Sequence, residues 1–147
     1  MVIDNQRTLR ELIRDLGAEK NMRWERELAA QCKAIGLLVE TQVQHLIPDR
    51  RFVFDLKVTQ PHGKFAMRYC VLVEVQGGIH NTVWGKGGKR VARPSGHNTA
   101  AGISRDCEKV NLAQLNGYRC LLVTPEHVRS GQALKWIEEA LEVPNAI

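Results

Sequence analysis

Apolar positions along the chain alternate between helical and strand spacing. Trp24, Leu28, Cys32 and Ile35 recur at steps of three to four, and Gly36 follows as a stop, so a helix is predicted over residues 21–34. Before it, Leu9, Leu12, Ile13 and Leu16 give residues 1–20 a helix-like pattern within a charged lead, read as a peripheral N-terminal helix. Three strand-like runs come next, over residues 40–47, 51–59 and 68–76, with Pro48, Asp49 and Arg50 as a turn and Thr59 to Lys64 as a link. A second helix is predicted over 99–116 from Ile103, Cys107, Val110, Leu112 and Leu115, ending at Gly117. Residues 118–124 form a compact apolar strand, and Pro125 opens a last helix carrying Val128, Leu134, Trp136, Ile137 and Leu141. The order α-β-β-β-α-β-α predicts an α/β domain, a mixed central sheet flanked by helices. Trp24 and Trp136 fall on the apolar stripes and are expected in the core.

Two of the strand runs carry charge where apolar residues dominate. In Val71-Leu72-Val73-Glu74-Val75-Gln76-Gly77-Gly78, Glu74 and Gln76 share one face of the strand. In Arg51-Phe52-Val53-Phe54-Asp55-Leu56-Lys57-Val58, Asp55 sits in the middle of the run. A buried carboxylate is costly unless it is paired or binds a cation. Two neighbouring strands of this kind point to a divalent metal site, with ion pairing to nearby Lys or Arg as the plainer alternative. Asp49 beside Pro48 is explained by turn chemistry, so Asp55 is the preferred site residue.

Size and composition narrow the classes. The 147 residues fit a single domain, and the 44% hydrophobic, 25% charged content is that of an ordinary globular protein. No run approaches the roughly 20 apolar residues of a membrane span. The first residues lack the apolar core of a signal peptide, so a cytoplasmic protein is expected. Cys32, Cys70, Cys107 and Cys120 show no CxxC spacing and are expected as small core residues in a reducing compartment. The net charge of +5 is unevenly placed. The Gly-rich stretch 77–98, read as a mobile loop, holds Lys86, Lys89, Arg90 and Arg93 and no acidic residue from Gly77 to Gly96. Such a segment suits a polyanion such as a phosphate backbone, and Trp84 within it suits stacking on a base. A solvated loop anchored by Trp84 is the alternative.

These pieces in this order resemble the PD-(D/E)XK nuclease superfamily. They are Arg51-Phe52-Val53-Phe54-Asp55, Val73-Glu74-Val75-Gln76-Gly77-Gly78, Gly96-His97, Asp106-Cys107-Glu108-Lys109-Val110-Asn111, and the run from Asn116 to Thr124. Within the superfamily they are most similar to small members related to very-short-patch-repair enzymes and to phage nucleases and resolvases. The likeness covers roughly residues 24–140. It implies a restriction-endonuclease-like αβββαβ core and a DNA endonuclease, in a bacterial or phage-infected cell. It also implies Asp55 and Glu74 as ligands for Mg²⁺, with Mn²⁺ as an alternative, and Glu27 as an assisting helix carboxylate. The strand reads Glu-x-Gln where the family has Glu-x-Lys, so Gln76 cannot supply the charge that the family's Lys brings. Lys109, three residues after Asp106 on the predicted helix, is the first candidate to replace it. Lys57 is the second, and His97 is a candidate for proton transfer. Asp106 and Lys109 as a plain surface ion pair is the alternative. A non-catalytic nucleic-acid binder on the same fold, and a homodimeric junction resolvase or mismatch nickase, remain as rival functions.

Overall fold

The computed structural model describes residues 22–61, 69–76, 82–84, 90–92 and 100–143. Its first helix, α1 (Arg23–Ala34), buries Leu28, Ala29 and Cys32 and leaves the opposite side to solvent. Gly36 ends it at φ +87°: the Leu37 N–H returns to the Cys32 carbonyl at 3.1 Å and the Gly36 N–H to Lys33 at 3.0 Å. This double return satisfies the last carbonyls of the helix and needs a left-handed residue, which glycine adopts without Cβ strain. The same closure recurs after the second long helix. There Gly117 (φ +86°) and Tyr118 bond back to Gln114 and Ala113 at 2.9 and 3.0 Å.

Three strands follow α1: β1 (Leu38–Val43), β2 (Phe54–Thr59) and β3 (Cys70–Val75). A short antiparallel ribbon, β4 (Thr82–Trp84) with β5 (Arg90–Ala92), precedes α2 (Ala100–Leu115). The chain then forms β6 (Arg119–Val123), α3 (Pro125–Arg129) and α4 (Gln132–Leu141). The main sheet has the order β1-β2-β3-β6, antiparallel through β3 and parallel between β3 and β6. It is therefore an α/β fold with a four-stranded mixed sheet flanked by helices.

Several boundaries differ from the sequence expectation. β1 stops at Val43, two residues before His45 takes positive φ and turns the chain away; Gln42 inside the strand also has positive φ. The expected turn at Pro48 is present, closed by Arg50 N–H to the Ile47 carbonyl, with Asp49 exposed at φ +59°. The stretch 77–98, expected as a loop throughout, holds the β4–β5 ribbon, which places Trp84 opposite Arg90 in register. Residues 1–20, Lys86, Lys89, Arg93 and His97 lie outside the described residues. The last helix is two helices, divided at Ser130 and Gly131.

The larger core cluster joins Leu56, Val58, Val71, Val73 and Val75 of the sheet to Leu28 and Cys32 of α1 and to Val128, Ile137 and Leu141 from α3 and α4. Fully burying each such side chain stabilises the fold by about 1.5–3 kcal/mol. Trp24 and Trp136 pack partly buried against this cluster. A smaller cluster of Ile47, Phe54, Leu72 and Ala113 lies under α2. Cys107 is exposed and Cys120 half-buried, so only Cys32 and Cys70 are the core cysteines expected. On α2, Ile103 and Leu115 face solvent as well.

The C-terminal end of α4 is tied back into the domain. Arg119 donates to the carbonyls of Ala140 and Val143, and Gln60 Nε2 donates to Leu141 at 3.1 Å. These donors satisfy carbonyls that the helix leaves open at its end.

Candidate functional site

β2 and β3 are paired only as far as Leu56 opposite Val73. Beyond that point β3 stays with β6, through Val75 opposite Val123 and the Gln76 N–H on the Val123 carbonyl at 2.7 Å. Phe54 marks the parting on the β2 side. Strand alternation would place it with Leu56 and Val58, yet it packs in the smaller cluster under α2. Between the diverging strands, side-chain oxygens replace ladder carbonyls. Glu74 Oε1 accepts the Asp55 N–H at 3.1 Å, and Asp55 Oδ2 accepts the Val75 N–H at 2.9 Å.

Helices approach this opening from both faces. From α2, Lys109 Nζ reaches Glu74 Oε1 at 2.7 Å and lies 4.8 Å from the centre of the Phe54 ring. The Lys109 and Glu74 side chains are only 15% and 12% exposed, so this is a desolvated ion pair over an aromatic floor. From α1, Glu25 is half-buried within range of the Asp55 charge.

Electrostatics records the crowding of negative charge. Burial, followed by the Asp55 carboxylate, lifts Glu74 from 4.5 to about 7, against the lowering effect of Lys109. Burial is also the main cause that raises Glu25, opposed by a backbone hydrogen bond and reinforced by Asp55. Its Oε2 is buried with no hydrogen-bond partner. The Cys120 thiol, raised to about 12 by burial and then by Glu74, borders the site as an unreactive wall. The hydrogen bonds and ion pair above engage Glu74 Oε1 and Asp55 Oδ2, leaving Glu74 Oε2, Asp55 Oδ1 and Glu25 Oε2 outside them.

The structure therefore gathers Asp55, Glu74 and Lys109, with Gln76 half-buried at the end of the same strand. Asp106 is half-buried on the same helix as Lys109. Glu27 is exposed, and Glu25 holds the helix position that faces Asp55. The two residues are separated by about 200° around the axis, so they cannot both face the sheet. The signal for Glu25 is present in the pattern: it lies three residues before Leu28 and seven before Cys32, on the buried stripe. Lys57 turns to Glu40 on β1, at 3.2 Å, and is occupied there. Phe54 as the floor beneath Lys109 is not legible in the sequence, because its face is set by the strand parting.

Among the described residues, no group of three or more His, Cys, Asp or Glu is close enough to hold a metal ion by itself. No helix among them is long and apolar enough to cross a membrane. No family model, curated protein or solved structure matches the chain.

Proposed function

We infer that the protein is a divalent-metal-dependent DNA endonuclease, built on a restriction-endonuclease-like core of the PD-(D/E)XK type. The order α1-β1-β2-β3-α2-β6 supports the fold. One observation carries the activity: a carboxylate pair where two strands part, with a desolvated lysine delivered onto one of its oxygens.

The donor set fits Mg²⁺, which is commonly held by one or two carboxylates and completed by water and substrate phosphate oxygens. Asp55 and Glu74 supply those two carboxylates. The unpartnered Glu25 Oε2 and the raised Glu74 mark a place where added positive charge is favourable. When bound, the cation polarises the scissile phosphate and lowers the pKa of a bound water. The remaining roles belong to side chains. Glu25 orients water from the α1 side. Lys109 supplies the positive charge that Gln76 lacks and stabilises charge building on the phosphate, the more strongly because it is desolvated. Gln76, fixed by its backbone to Val123, positions the water or phosphate through its amide.

The test is cleavage of labelled linear duplex, single-stranded, mismatched, flapped and four-way-junction DNA in Mg²⁺, Mn²⁺ or EDTA. Metal-dependent cutting that Glu74→Gln abolishes supports the reading and names the substrate class. Binding without cutting under every condition overturns it in favour of a non-catalytic nucleic-acid binder.

A further inference from the structure

We propose that Arg23 and Arg129, gathered on the ring of Trp24, form a phosphate clamp for the nucleic-acid backbone beside the carboxylate site. The proposal rests on the nucleic-acid reading above and adds a second contact surface to it.

Two cations from different elements converge on one ring. The Arg23 guanidinium carbon lies 4.8 Å from the centre of the Trp24 indole, and that of Arg129, from the end of α3, lies 5.1 Å from it. Trp24 packs against the main core, so the ring is a fixed support rather than a mobile one. The bond between Gln31 Nε2 and the Val128 carbonyl, 3.1 Å, ties α1 to α3 next to Arg129 and so holds both arginines at the Trp24 ring. The neighbour of Trp24 in sequence is Glu25, the carboxylate that faces Asp55. The clamp and the site thus share α1.

The chemistry selects a phosphodiester. An arginine held over an aromatic ring keeps N–H donors in the guanidinium plane, a fork that matches two phosphate oxygens. Each guanidinium attracts an anionic backbone, and a strand running past the ring can pair one phosphate with each. Arg129 already holds a carboxylate on its own helix: Glu126 Oε2 accepts from Arg129 Nη1 at 2.6 Å. The Arg129 and Glu126 side chains are 62% and 66% exposed, so a backbone phosphate can replace this carboxylate without opening the core. The Arg23 side is exposed as well. The clamp would add backbone contacts to those made at the carboxylates.

The experiment is fluorescence anisotropy with a labelled short duplex DNA in EDTA over a salt series. It compares wild type, Arg23→Gln/Arg129→Gln and Glu126→Gln, each checked for an unchanged thermal transition. Losing two phosphate contacts should weaken binding and flatten the plot of log affinity against log salt by about 1.8, or about 0.9 per contact. Glu126→Gln should tighten binding, since the competing carboxylate charge is gone. A double variant with wild-type affinity and slope overturns the clamp. If the wild type still cuts DNA in that case, the nuclease reading stands alone. A wild type that does not bind the duplex at any salt, nor a labelled single strand run beside it, removes the nucleic-acid reading and the clamp together.

Discussion

Asp55 and Glu74 each fasten the other's strand. The Glu74 carboxylate takes the Asp55 N–H, and the Asp55 carboxylate takes the N–H of Val75, at 3.1 and 2.9 Å. These bonds stand where the ladder between β2 and β3 has ended, so the carboxylates are structural acceptors as well as candidate ligands. Glu74→Gln keeps a side-chain oxygen for the Asp55 N–H and, near pH 5 where Glu74 holds its proton, should unfold within about 1 kcal/mol of wild type. Glu74→Ala leaves that N–H and Lys109 without a partner and should cost about 1–3 kcal/mol. Both should lose cleavage. Urea denaturation beside the cleavage assay separates the two effects, and equal stability losses would refute the bracing role.

Glu74 makes metal-free stability depend on pH in a defined direction. Its folded value, about 7, lies above the 4.5 of the ordinary carboxyl. The folded chain thus keeps a proton that the unfolded chain releases. Its stabilising contribution is complete below about 4.5 and is lost as pH rises through about 7. The loss is on the order of 3 kcal/mol, and the raised Glu25 adds to it in the same direction. Urea midpoints in EDTA should fall between about pH 5 and about pH 8, and fall less for Glu74→Gln. Equal pH slopes for the two proteins would contradict the buried charge.

Lys109 and Glu74 should behave as one unit. Removing the lysine alone, as in Lys109→Met, strands a buried carboxylate and should destabilise by about 3 kcal/mol near pH 8. Adding Glu74→Gln should recover most of that loss. A double-mutant cycle reads the coupling directly, and additive single effects would exclude it. In single-turnover cleavage Lys109→Met should lose about 10²–10³-fold.

Glu25 and Glu27 distinguish the two faces of α1. Glu25→Gln removes a half-buried charge whose Oε2 lacks a hydrogen-bond partner, so stability near neutral pH should hold or rise while cleavage falls at least about tenfold. Glu27 is solvated, and Glu27→Gln should stay within about 0.5 kcal/mol with cleavage unchanged. The reverse ranking in a metal titration of cleavage would return the assisting role to Glu27.

Much of the architecture is legible in the chain because it depends on local physics. The helical spacing of Leu28 and Cys32, the stops at Gly36 and Gly117, and the apolar runs around Asp55 and Glu74 express backbone preferences and side-chain periods, which act over a few residues. The contacts that define the site act over longer distances. That Lys109 crosses to Glu74 while Lys57 turns to Glu40 depends on which element packs over each face of the sheet. That Phe54 leaves the face of Leu56 depends on β3 following β6 rather than β2. The choice of Glu25 over Glu27 lies between these cases, because the helical period contains it but only the packed sheet shows which stripe faces Asp55. The sequence by itself determined the elements and the residue types available for chemistry. Tertiary structure decided their partners, because Coulomb and desolvation energies depend on distances and burial that arise only once the sheet and helices are assembled.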